Sequence, residues 1–223
     1  HELQGLPNVR FYITTYNDNP NCPDSIKRKI ESYKQTNPER WKVYGLGLTG
    51  IVDNLVFNRG YNVVPQIPID AKFIAGGIDF GYNDPAVVVE VYEYNSEFYI
   101  QEVMYLTHQS NEQIASYLDR SKLYYADSAE PKSIDAIRAM GYNVLPAVKG
   151  KDSIRFGIDK LKSKPLNITV SSVNCKREFD TYSYITDKGG TITDNFEDRN
   201  NHSIDACRYA LSNTGDGWVL FTV

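Results

Sequence analysis

Two apolar runs in this chain each stop at an aspartate, and that pairing constrains the fold more than any other feature. Phe73-Ile74-Ala75-Gly76-Gly77-Ile78 ends at Asp79, and Leu123-Tyr124-Tyr125-Ala126 ends at Asp127. Short apolar runs bounded by polar residues read as buried strands, so both carboxylates fall where a sheet meets solvent. Gly81 follows Asp79 closely and lets the chain turn away, leaving the aspartate at the rim. Between the runs lie Ala86–Tyr94 and Glu97–Tyr105, β-branched and aromatic segments separated by Asn95-Ser96, a hairpin signal. Ser110 then caps a helical segment with Ile114, Tyr117 and Leu118 on one face. A strand that enters a sheet after a crossover helix can lie parallel to the first strand. Placing Leu123–Ala126 beside Phe73–Ile78 brings Asp79 and Asp127 to the same end of neighbouring strands.

Downstream, Pro131 opens a helix that runs to Met140 and is stopped by Gly141, and Asn143–Ala147 is a further short strand. Helices are predicted over Asp152–Lys162 and Lys176–Tyr184, then a hairpin turning at Lys188-Gly189-Gly190, then a last helix from near Asn201. The first 50 residues differ, being rich in Asn, Pro and charge. Asp24 or Ser25 caps a helix over Ile26–Gln35, and Asn37-Pro38 ends it. Gly45, Gly47 and Gly50 then break regularity, so no compact core is expected there. We read residues 1–70 as a linker and 71–223 as one α/β domain.

Composition narrows the function. At 223 residues, with 41% hydrophobic and 23% charged residues, the chain suits one sizeable folded domain with an appendage. No apolar run approaches the roughly 18 residues of a membrane span. A net charge of −4 argues against a general nucleic-acid coat, which would be basic, but not against an enzyme that concentrates carboxylates for metal. Cys22, Cys175 and Cys207 lie far apart without a C-x-x-C pair. That spacing disfavours a disulfide framework or zinc ribbon and points to a reducing compartment. The chain begins at His1 and shows no signal peptide, as an excised fragment of a non-secreted protein would.

A third carboxylate, Asp205, lies in the first turns of the last helix, with His202 three residues before it on the same face. Several carboxylates on rigid elements suit phosphodiester hydrolysis through two hard cations held about 4 Å apart. Unneutralised, such acids repel one another and at least one pKa rises, so the pattern implies Mg2+ or Mn2+ rather than zinc. Each residue also has a plainer reading. A strand-end aspartate is commonly a turn former or cap, His202 a helix-start hydrogen-bonding residue, and Asp84 before Pro85 a turn residue that can also assist metal binding. Lys149 and Lys151 read as solvated loop charges, or as phosphate contacts near the sheet end.

The element order and the two rim aspartates describe a ribonuclease H-like α/β fold, with a central mixed sheet flanked by helices. Three stretches carry a more specific likeness. Gly77-Ile78-Asp79-Phe80-Gly81-Tyr82-Asn83-Asp84-Pro85, Tyr125-Ala126-Asp127-Ser128-Ala129-Glu130-Pro131 and Asn201-His202-Ser203-Ile204-Asp205-Ala206-Cys207-Arg208-Tyr209-Ala210 together resemble the C-terminal nuclease domain of phage terminase large subunits. Thr15–Pro20 and Pro38–Gly47 resemble the segment leading out of that family's ATPase domain. The resemblance implies a metal-dependent endonuclease that cuts concatemeric double-stranded viral DNA during head packaging. It implies Asp79, Asp127 and Asp205 as metal-binding catalytic acids, His202 as their active-site neighbour and Asp84 as an accessory metal acid, with two Mg2+ or Mn2+ ions. It places the Ile185–Asp194 hairpin near the active site. Implied partners are DNA, the ATPase domain of the same polypeptide, a portal and a small terminase subunit. There is no membrane partner, the isolated domain would be a monomer, and the setting is the host cytoplasm during phage assembly. No G-x-x-x-x-G-K-[ST] phosphate loop occurs, so this chain should not translocate DNA alone.

Two rivals remain at this level. Asp79-Phe80-Gly81 after a strand also resembles a phosphate loop of the actin and sugar-kinase superfamily, which needs two such domains. A non-catalytic docking module of a packaging motor would not need three acids at a sheet rim.

Overall fold

The computed structural model describes residues 10, 12–36, 40–48, 54–187 and 191–213. The chain divides into two compact units, His1–Asp53 and Asn54–Val223. In the first unit, helix α1 spans Asp24–Thr36 and one π-helical turn spans Trp41–Gly45. Tyr16 is buried there, edge-on to Trp41, and its hydroxyl bonds Glu31. The predicted helix stop at Asn37-Pro38, and Gly50, lie outside the described residues.

The second unit is built on a seven-stranded mixed sheet. Its strands are β1 (Asn62–Val64), β2 (Lys72–Asp79), β3 (Ala86–Tyr94), β4 (Glu97–Leu106), β5 (Leu123–Ala126), β6 (Asn143–Pro146) and β7 (Leu166–Thr169). Their spatial order is β1-β7-β4-β3-β2-β5-β6. β2, β3 and β4 form an antiparallel meander, and the other neighbours pair in parallel. The β3–β4 turn places Asn95 at φ 51° and Ser96 at φ 63°, the left-handed pair that matches strand twist in two-residue hairpins. β1 falls within the stretch read from the sequence as linker.

Helices cover both faces. On one face, α2 (Asn111–Ala115) and α3 (Pro131–Ala139) bury Ile114, Ile134 and Ile137 against Ile78, Val88 and Tyr124. Ser110 caps α2 with a reciprocal Gln113 bond. On the other face lie α4 (Ser153–Lys162), α5 (Val173–Thr181) and α6 (His202–Leu211), burying Ile158, Phe179 and Ile204. α6 is buried nearly all round, with small residues toward the sheet. A Cβ on Gly77 of β2 would stand 1.7 Å from the Ala206 carbonyl oxygen, so glycine there lets α6 touch the strand backbone.

Two predicted elements differ. The segment Leu166–Thr169, without a predicted element, is an interior strand, and the helix predicted at Lys176–Tyr184 instead covers Val173–Thr181. The hairpin appears as β8 (Tyr184–Thr186) and β9 (Ile192–Phe196), and its Lys188–Gly190 turn lies outside the described residues. Among the described residues no helix is long and apolar enough to cross a membrane.

Candidate active site

Parallel pairing of β2 with β5 aligns Ile78 with Ala126, and the Asp127 amide donates to the Ile78 carbonyl at 3.2 Å. Asp79 and Asp127 therefore end neighbouring strands at one rim, as predicted. The close α6–β2 approach at Gly77 brings the first turns of α6 to the same rim, and His202 Nδ1 lies 3.0 Å from Asp79 Oδ2. The start of α6 is fixed by Glu178 of α5, wholly buried, which accepts from the Ser203 amide at 2.6 Å and the Tyr105 hydroxyl at 2.8 Å. Negative charge at that point suits a helix N-terminus.

Each rim acid is closed on its own base. Asp79 pairs with His202, Asp127 with Lys149, and Asp205 with Arg208, whose Nε and Nη2 donate to Oδ1 at 3.1 and 2.6 Å. Asp127 also accepts from the Ala129 amide at 2.7 Å and the Tyr209 hydroxyl at 3.3 Å. Asn201 adds a bond to Asp205 Oδ2 at 3.4 Å. Asp84 is exposed in the bend after β2, and its charge helps raise His202.

The acids feel one another. Burial pushes the Asp79 carboxyl up to about 6; the bond from His202 opposes this, while Asp205 and Asp127 add to it. Burial also raises Asp205 against the pull of Arg208, with Asp198, on the segment after β9, adding to the rise. Burial would raise Asp127 too, but Lys149 and the Ala129 amide outweigh it and hold this carboxyl below its usual range. The bond to Asp79 raises His202 despite burial. Burial, then Asp205, Asp79 and Asp127, raise the Tyr209 hydroxyl, which thus lies in the field of all three acids.

Three participants and one pairing escape the sequence reading. Arg208 and Tyr209 lie three and four residues after Asp205, a helical spacing that could have shown them. Glu178, and the pairing of Lys149 with Asp127, depend on tertiary packing that no local pattern reveals.

The donor chemistry fits hard divalent cations: carboxylate oxygens on rigid elements, one of them raised by burial and, to a lesser extent, by its acidic neighbours. With each acid closed on a base, no group of three or more His, Cys, Asp or Glu side chains among the described residues is gathered to hold an ion. A larger cavity, about 470 Å³, is lined by residues 56–62 and 162–166, around the starts of β1 and β7. β7 and β2 run the same way through the sheet, which puts that cavity at the end opposite the acids.

Known proteins place this arrangement. The terminase RNAseH like domain matches residues 84–213, a span that holds Asp127, His202 and Asp205 and begins just after Asp79. The terminase large subunit of Bacillus phage SPP1 is 31% identical over 219 residues, covering 89% of this chain and 50% of that protein. The PBSX phage terminase large subunit of Bacillus subtilis is 27% identical over 223 residues, covering 90% and 50%. The chain thus spans about half the length of the curated relatives it matches. The crystal structure of the SPP1 large terminase nuclease domain with bound Mn superposes with a TM-score of 0.59 at 31% identity, covering 68% of this chain and 94% of that one. The large terminase of a thermophilic bacteriophage shares the fold at TM-score 0.58 and 20% identity, covering 90% and 54%. Rim acids, mixed sheet and sequence likeness agree: the chain belongs to the terminase RNase H-like domain family of phage large-terminase nucleases.

Proposed function

We propose that this chain is a metal-dependent endodeoxyribonuclease that cuts concatemeric double-stranded viral DNA during genome packaging. The observation that carries the proposal is the convergence of Asp79, Asp127 and Asp205 at one sheet rim, where burial raises Asp79 and the other two acids add to the rise. Asp79, Asp127 and Asp205 would hold two divalent cations, Mg2+ or Mn2+, with the exposed Asp84 as an accessory acid. Support comes from the SPP1 nuclease domain, whose structure carries Mn. When bound, such ions supply an activated water and stabilise charge on the leaving oxygen.

The protein's own groups orient the substrate and the acids. His202, whose pKa Asp79 raises, would present a hydrogen-bond donor to a scissile phosphate, cationic when protonated. Tyr209 and the Ala129 amide fix the Asp127 carboxylate. Arg208 fixes Oδ1 of Asp205. The β8–β9 hairpin leads into α6 and would guide the duplex at the rim. In the full-length protein the stretch before residue 54 would link this nuclease to an ATPase domain, and a portal and small subunit would complete the packaging machine. The setting would be the host cytoplasm, and the isolated nuclease a monomer.

The direct test is plasmid cleavage in Mn2+ by the parent and by Asp79→Ala, Asp127→Ala and Asp205→Ala. Loss of cutting in all three is expected while circular dichroism stays native. Three variants that cut as well as the parent would end the nuclease reading.

A further inference from the structure

The three bases at the rim are not equivalent. Arg208 is buried, doubly bonded to Asp205, and its Cβ, Cγ and Cδ pack so close to Gly157 of α4 that a Cβ there would stand 2.8 to 2.9 Å away. Its stem is packed between α4 and α6. His202 is anchored by its place in the first turn of α6. Lys149 is different. It extends from the loop between β6 and α4, its side chain is 42% exposed, and its ammonium sits 5.6 Å over the Tyr209 ring as it pairs with Asp127. A lysine stem is long and flexible, and its head is readily rehydrated. If it swings away, Asp127 keeps the Ala129 amide and the Tyr209 hydroxyl, so the carboxylate stays oriented.

We infer that Lys149 is a detachable resident counter-ion of the metal centre. Its ammonium and a divalent cation compete for the Asp127 carboxylate, and metal loading proceeds by exchange. The competition sets the metal affinity of the protein below what its carboxylates alone would give. This rests on the reading of Asp127 as a metal ligand, and the test separates the two.

Mn2+ binding to metal-free protein is measured by titration calorimetry for the parent and for Lys149→Met, Lys149→Arg and Asp127→Asn, with circular dichroism to establish folding. Lys149→Met keeps the stem and removes the charge, and should bind Mn2+ roughly three- to tenfold tighter than the parent. Lys149→Arg restores a cation and should return affinity to the parental value or below. Asp127→Asn should weaken binding. If Asp127→Asn weakens binding while Lys149→Met leaves it unchanged or weaker, the metal reading stands and the counter-ion inference is overturned. If the parent takes up no Mn2+, or Asp127→Asn binds it as the parent does, the ligand assignment fails and the inference falls with it. Lys149→Gln serves in place of Lys149→Met should the latter fail to fold.

Discussion

Glu90 and Asp79 are carboxylates buried in adjacent strands of one sheet, 6% and 8% exposed, and they are treated in opposite ways. Glu90, within β3, is surrounded by donors: the Tyr124 hydroxyl at 2.8 Å, the Lys122 ammonium at 2.7 Å and the Tyr92 hydroxyl at 2.5 Å. Gly76, across the ladder, leaves room for the Tyr124 ring. One charge meets one cation and two hydroxyls, which is how a folded interior tolerates a carboxylate. Asp79, at the end of β2, has a single histidine and lies in the field of two further acids. The saturated Glu90 fits a part of the scaffold. Asp79, short of donors, fits the metal-binding role proposed for it.

That contrast can be broken by experiment, beginning with the largest effect. Asp79→Asn should lower plasmid cutting on the order of a thousandfold while the unfolding midpoint in urea stays level or rises. Glu90→Ala should cost about 3 kcal/mol of stability, since it strands Lys122 and two hydroxyls. Equal destabilisation by both substitutions would erase the distinction. Gly77→Ala should cost about 2–3 kcal/mol, because its methyl group meets the Ala206 carbonyl, and should depress cutting by pushing α6 off the rim. A Gly77→Ala protein with parental stability would show that the contact between α6 and β2 is slack.

The smallest effect is one of pH in metal-free buffer. Asp79 sits at about 6 in the folded chain against an ordinary 3.8, so between these values the folded state holds more protons than the unfolded one. Its contribution is most favourable below about pH 4 and is lost as pH rises through 6. Asp205 is shifted the same way, Asp127 the other. Melting temperatures should therefore favour Asp79→Asn over the parent increasingly from pH 4 to pH 6. A constant difference across that range would remove Asp79 from the account.

Much of this is legible in the residues. The β2–β5 pairing, the Asn95-Ser96 turn and the helix from His202 follow from apolar runs, turn residues and a polar stretch, all of them local signals. The strand Leu166–Thr169 does not, because its buried Asn167 looks like a loop residue. Only the fold supplies that side chain with Glu97 and Asn62 as partners. The helix over Val173–Thr181 begins three residues before its predicted start because distant groups hold its first turn. That turn, Val173-Asn174-Cys175, is held in place by Glu102, which accepts from the Asn174 side chain and the Cys175 amide, 72 and 73 residues further along the chain. At the rim the acids can be read one by one, but not the bases that close them. Lys149 and Asp127 meet only through the sheet.

The bond between His202 and Asp79 joins residues 123 positions apart. On a ribosome adding roughly 5–20 residues per second, the second partner emerges about 6 to 25 seconds after the first. Tyr209 and Arg208 emerge later still. A nascent chain can form the β2–β3–β4 meander and display Asp79 and Asp127 while α6 is still unsynthesised. Such a chain holds two of the three acids and lacks His202. On the proposed function the metal-binding rim is thus completed only when α6 has been made, and a chain that stops before α6 should not cut DNA.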